Sequence, residues 1–224
     1  MIDEGHQGVY VRRRGRMTRG QDRAFRELAS EYVLTYEELP EDWAAWFGRT
    51  APLGVEVGFG MGQALIDWAE SAPDMNLIGI EVYVPGIGSL LREMQARELT
   101  NLRVIDANAE QVFATAIKDA SLTEVRVFFP DPWPKKRHHK RRLIHPGFVH
   151  RVGQCLVPDG QLLMATDWAS YAEQMLEVGD AESLLENCHG GFAPRAVRPT
   201  TRFEARGHRH GHEVWDLAYR RRAG

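Results

Sequence analysis

Val55-Glu56-Val57-Gly58-Phe59-Gly60-Met61-Gly62 is the stretch on which the reading of this chain turns. Leu53–Val57 is a short apolar run of strand length, and Gln63–Glu70 carries apolar residues at helical spacing. Glycines between a strand and a helix let the backbone approach a bound ligand closely. The spacing is Gly-x-Gly-x-Gly, whereas the dinucleotide fingerprint needs its third glycine where Gln63 stands. NAD is therefore the weaker cofactor reading. S-adenosylmethionine, a phosphate-free cofactor with a sulfonium cation, is the stronger, with Gly58, Gly60 and Gly62 as its cradle. Glu56, inside the apolar strand, costs several kcal/mol unless something pairs with it. A cationic cofactor is one such partner and loop amides are another.

Outward from this stretch, Leu77–Val82, Leu102–Ile105, Val125–Phe129 and Gln161–Ala165 read as further strands. Gly86–Arg97 and Trp168–Glu177 read as helices, with Pro85 in a first turn that tolerates it. Strand and helix alternating in this way predict an α/β fold: a mostly parallel sheet covered on both faces. Glu213–Tyr219 reads as a late antiparallel edge strand. Residues 1–35, rich in Arg and Gly, are expected to be a partly disordered basic arm running into a short helix, and 36–224 one domain.

The strand ends carry the candidate chemistry. Glu81 closes Gly79-Ile80-Glu81-Val82, where an acid can accept both hydroxyls of a ribose. In Asp106-Ala107-Asn108-Ala109-Glu110, a polar side chain can meet an adenine edge, or Asn108 can be a plain loop residue. Phe128-Phe129-Pro130-Asp131-Pro132-Trp133-Pro134 sets one aspartate among prolines and aromatics. That is a stiff rim able to stack a base while Asp131 holds its polar edge, unless it is only an Asp-Pro turn.

The formal charge of -3 argues against nucleic acid only if charge is evenly spread. It is not: Lys135, Lys136, Arg137, Lys140, Arg141 and Arg142 fall within eight residues, whereas Val152–Pro194 holds seven acids and no Lys or Arg. Arg12, Arg13, Arg14, Arg16 and Arg19 form a second basic cluster, and Arg220–Arg222 a third. No apolar run approaches the ~20 residues of a membrane span. The first residues show no signal-peptide core. Cys155 and Cys188 stand far apart, as reduced thiols in the cytosol would. His208, His210 and His212 alternate as a polar surface does, and no metal site is expected.

Through most of residues 50–222 the chain resembles the bacterial tRNA (guanine-N7)-methyltransferases. The resemblance rests on Glu-Val-Gly-Phe-Gly-Met-Gly at 56–62, Gly-Ile-Glu-Val at 79–82, Pro-Gly-Ile-Gly at 85–88 and Phe-Phe-Pro-Asp-Pro-Trp at 128–133. It continues in Lys-Arg-Arg at 140–142, Thr-Asp at 166–167, Thr-Arg-Phe-Glu at 201–204 and Gly211-His212. It implies a Rossmann-like class I methyltransferase fold with a seven-stranded sheet. It also implies S-adenosylmethionine contacts from Glu56, Glu81, Asn108 and Asp131, with Asp131 the active-site acid. Lys135, Asp167, Thr201, Arg202, Phe203 and Glu204 correspond to tRNA-contacting positions, and the variable loop of tRNA is the implied target. The family usually has aspartate where Asn108 stands, so Asp106 can share that role. Asp167 can also cap the following helix. Lys140, Arg141 and Arg142 are expected on phosphates. No obligate protein partner is implied; monomer and homodimer both remain open. A catalytically silent RNA-binding protein of the same fold is the alternative of another class.

Overall fold

The computed structural model describes residues 15–194 and 213–223. Thr18 opens the first helix, α1 (Arg19–Tyr32), with a reciprocal capping box to Gln21. Strand β1 (Val33–Thr35) and the short helix α2 (Trp43–Phe47) follow, and the glycine-loop strand is β2 (Leu53–Val57). Next come α3 (Gln63–Ser71), β3 (Asn76–Ile80), α4 (Val84–Ala96), β4 (Leu102–Asp106), α5 (Ala109–Thr115) and β5 (Leu122–Phe128). A six-residue 3-10 segment (Lys136–Arg141) leads to α6 (Pro146–Cys155), β6 (Leu156–Thr166), α7 (Ala169–Ala181), β7 (Leu185–Asn187) and β8 (Trp215–Arg221).

Among the described residues the sheet has eight strands in the order β1-β4-β3-β2-β5-β6-β8-β7. The pairs from β1 to β6 are parallel, and β8 runs antiparallel to both β6 and β7. The expected count of seven is exceeded by β1, whose three residues are too short to show a period. The last strand is antiparallel, as read, but it is not an edge: β7 lies outside it, Glu186 in register with Arg220.

Parallel strands need cover on both faces, and two apolar layers provide it. Val55, Val57, Ile78, Ile105, Phe113, Phe148 and Tyr171 pack one face against α2, α5, α6 and α7. Leu65, Trp68, Ile87, Leu90 and Val104, with Ala24 of α1, pack the other against α3 and α4. After the edge strand β1 the chain crosses to the centre at β2, runs outward through β3 and β4, then returns to β5 on the opposite side of β2. That reversal opens a crevice outside the carboxyl ends of β2 and β5, the switch point at which open α/β sheets bind ligands. No helix among the described residues is long and apolar enough to cross a membrane.

Candidate active site

The glycine loop forms one wall of the crevice. Gly58, Gly60 and Gly62 have φ of +69°, +58° and +86°, a region costly for side-chain-bearing residues. A Cβ on Gly58 or Gly60 would meet nothing within 4 Å, so the backbone there borders open space. Gly62 differs: a Cβ would lie 2.5 Å from Leu90 Cδ1, because α3 starts against α4. The first turn of α4 touches the loop itself, with an added Cβ on Gly86 falling 2.0 Å from the Gly60 carbonyl oxygen.

Glu81, just past β3, accepts the Gly60 amide on Oε2 (2.8 Å) and the Val82 and Tyr83 amides on Oε1 (2.7 and 3.0 Å). A carboxylate offers roughly four lone-pair sites, so about one is left for a ribose hydroxyl unless an amide yields. Burial pushes the Glu81 carboxyl pKa up, the three amides oppose this, and the charge of Asp131 raises it further. Asp131 is thus close enough across the crevice for Glu81 to feel its charge. Because the folded-state pKa is raised, Glu81's contribution to stability is present below the ordinary carboxylate range and is lost as pH rises through the raised value. Denaturation of the ligand-free protein, followed upward from the ordinary carboxylate range, should show this loss. Over the same range S-adenosylmethionine affinity should climb as the carboxylate ionises; an affinity indifferent to pH would contradict a Glu81–ribose contact.

Glu56 is 2% exposed, in register with Gly79 on one side and Arg126 on the other. Cross-strand partners share a face, so the Arg126 side chain leaves the sheet on the side Glu56 does. Its guanidinium is bonded to Glu124 (2.5 Å) and lies 3.6 Å from the centre of the Trp68 ring. Arg126 therefore adds a cation beside Glu56 that the sequence reading did not name.

The opposite wall follows β5. Phe129 and Trp133 have φ of +53° and +42°, left-handed conformations that cost non-glycine residues about 1–3 kcal/mol. They bracket an exposed Asp131. The Phe129 amide donates to the Ala165 carbonyl (2.8 Å), tying this rim to β6. Lys135, Lys136, Arg137, Lys140 and Arg141 then face solvent, with the Arg141 guanidinium 5.1 Å from the Trp133 ring centre.

Arg142 is not among the solvent-facing cations. It is 2% exposed, and its donors go to the Pro132 and Ser170 carbonyls, Gln174 Oε1 and Ser170 Oγ. A guanidinium committed in this way is not available to a phosphate, which corrects its expected role. Asn108 also departs from expectation. Its Oδ1 accepts the Glu110 and Gln111 amides (2.8 and 3.3 Å) as the N-cap of α5, so the oxygen expected on adenine is already engaged. Asp106 ends β4 nearby and is 8% exposed. Asp167 immediately precedes the N-cap of α7, Trp168, whose own side chain makes no capping bond. The Trp168 ring is 40% exposed, and its indole N–H donates to Ser170 Oγ (3.1 Å). Thr201–Glu204, the three alternating histidines and Arg12–Arg14 lie outside the described residues. The described chain stops at Pro194 and resumes at Glu213, flanking a bridge between Ala193 and Asp216 at the start of β8. Sequence reasoning missed Gly86 and the inward turn of Arg142. For Gly86 the Pro-Gly-Ile-Gly pattern at the start of a helix was the available signal.

A family model described as "Putative methyltransferase" matches residues 50–217. A tRNA (guanine-N(7)-)-methyltransferase of Ralstonia nicotianae is 50% identical over 96% of this chain and 86% of its own length. One of Alkalilimnicola ehrlichii is 51% identical over 95% and 92%. The chain belongs to the tRNA (guanine-N(7)-)-methyltransferase family. The fold of this family member is also that of the 16S rRNA methyltransferase KamB, with TM-score 0.54 and 15% identity over 93% of this chain and 96% of KamB. In this chain the switch-point crevice is bordered by Gly58–Gly62 and by Glu81, which feels the charge of Asp131.

Proposed function

We propose that this chain transfers the methyl group of S-adenosylmethionine to N7 of a guanine in the variable loop of tRNA, in the cytoplasm. One juxtaposition supports the reading: Asp131 lies near enough for its charge to raise the pKa of Glu81 beside the open glycine loop, and the outward basic segment begins four residues later.

The residues fit the cofactor. Open space beside Gly58 and Gly60 admits its close approach, Glu81 has capacity for a ribose hydroxyl, and Asp106 with the Asn108 amino group borders the adenine. Bound there, S-adenosylmethionine supplies an electrophilic methyl on a positively charged sulfur. Guanine N7 carries a lone pair and no proton, so Asp131 need not act as a base. As the carbon–nitrogen bond forms the carbon–sulfur bond would break, its electron pair staying on a now neutral sulfur; the purine becomes cationic, and the Asp131 carboxylate stabilises that charge where water is excluded. Holding the base and the cofactor in line is the other contribution of this wall.

N7 lies on the major-groove edge, which A-form RNA keeps too deep and narrow for side chains. The base must be in a loop or turned out of its stack, where Trp133 and Phe129 form the rim around it. Lys135, Lys136, Arg137, Lys140 and Arg141 bind phosphates, with Asp167 and Thr201–Glu204 contributing further tRNA contacts. Replacing Lys140 and Arg141 together by Ala should reduce the salt slope of tRNA binding by roughly one and a half to two. A slope unchanged in a filter-binding titration would remove this face from the RNA interface.

Incubation with methyl-labelled cofactor and unmodified tRNA, followed by nucleoside mass analysis, tests the function. N7-methylguanosine at the variable loop is expected; label on another atom or nucleoside, or tRNA binding without transfer, would overturn it.

A further inference from the structure

We infer that Arg142 is a positioning residue for Asp131, and that the basic run divides into phosphate-facing cations and this one inward clamp. The inference rests on the reading of Asp131 given above. Arg142 Nε donates to the carbonyl of Pro132, the residue directly after Asp131 (2.8 Å). Nη1 donates to Gln174 Oε1 (2.7 Å) and the Ser170 carbonyl (3.2 Å), and Nη2 to Ser170 Oγ (3.2 Å). The guanidinium plane also lies over Tyr171, 4.7 Å from its ring centre. One side chain therefore ties the rim after β5 to the first turns of α7, the helix that follows Asp167.

The rim needs such a tie. Phe129 and Trp133 hold left-handed conformations on either side of Asp131, and strained backbone persists only where its surroundings over-determine it. Pro132 has no N–H to anchor the segment, so its carbonyl is the available handle. Gln174 completes the arrangement, its Nε2 donating to the Ile144 carbonyl (2.9 Å) just past the basic segment. A planar fork with five donors suits this geometry, and an ammonium cannot reach the same acceptors while stacking on a ring.

Arg142→Lys separates the two roles, because it keeps the charge and loses the fork. Single-turnover methyl transfer at saturating tRNA and cofactor, corrected for the fraction of protein that binds cofactor, should fall at least tenfold. The tRNA dissociation constant should stay within twofold and its salt slope unchanged. Gln174→Met, which removes one acceptor and no charge, should slow transfer several-fold with the same slope, and it decides the matter if Arg142→Lys does not fold. Asp131→Ala combined with Arg142→Lys should be no slower than Asp131→Ala alone, since Arg142 acts through Asp131. Transfer within twofold of normal in both clamp variants, a salt slope lowered by about one in Arg142→Lys, or additive losses in the double variant would each overturn the assignment. Loss in Asp131→Ala with normal clamp variants refutes the clamp alone. Normal transfer in Asp131→Ala refutes instead the role given to Asp131.

Discussion

Asp131→Ala should lower methyl transfer by about 10²–10³-fold while leaving the cofactor and tRNA bound, the size of loss seen when one preorganised electrostatic group is removed from a site. Positive charge passes from sulfur to purine during the reaction, so a carboxylate on the purine side favours the transition state over the bound ground state. Asp131 sits on the rim and not on the glycine loop, so cofactor affinity should change little. Removing its charge should also lower the Glu81 pKa, because Asp131 is one of the groups that raises it. The pH at which cofactor affinity rises should therefore move down in Asp131→Ala. Asp131→Asn should recover part of the orientation but not the charge stabilisation, and fall between Ala and the parent. Equal rates for parent and Ala would remove Asp131 from the chemistry.

Gly86→Ala should weaken S-adenosylmethionine binding by roughly 5- to 150-fold, the affinity equivalent of the about 1–3 kcal/mol that overpacking costs when cofactor binding must bear it. The added methyl would sit 2.0 Å from the Gly60 oxygen and 3.0 Å from its carbonyl carbon, both backbone atoms. No side chain can rotate away to relieve this contact. Either α4 withdraws or the glycine loop moves, disturbing the bonds of Gly60 N–H to Glu81 and Gly58 N–H to the Ile80 carbonyl. Overpacking of this kind costs about 1–3 kcal/mol, which corresponds to roughly 2–12 °C in the melting midpoint of a chain this size. Gly147→Ala is the control: its nearest neighbours would be His145 ring atoms at 3.5 Å, and both binding and stability should hold. Calorimetry and thermal melts of the two variants check the contrast.

The central strands and the crevice were legible because each is marked by a strong local signal. Leu53–Val57 is a strand in both sequence and structure, since its apolar run is fully buried and ends at glycines that only a turn explains. The positions of β1 and β7 were not legible, because three residues carry no period and their pairing is decided by neighbours distant in sequence. The basic segment shows the same limit within one site. Six cations in eight residues look alike in sequence, and only the end of the 3-10 turn sends Arg142 inward while Lys140 and Arg141 stay in water. Asn108 was read toward adenine, yet Ala-Glu-Gln after it is an ordinary helix start, and local capping took its oxygen. Glu81 and Asp131 were singled out because an acid at a strand's carboxyl end has few structural uses and the topology gathers such ends together.

The most direct test is a crystal structure of the protein with S-adenosylmethionine and its tRNA. The ribose should meet Glu81, the cofactor should run along Gly58–Gly62, and the target guanine should lie against Asp131 with N7 toward the methyl group. A donor bound elsewhere, with the space between the glycine loop and Asp131 taken by neither ligand, would contradict the account.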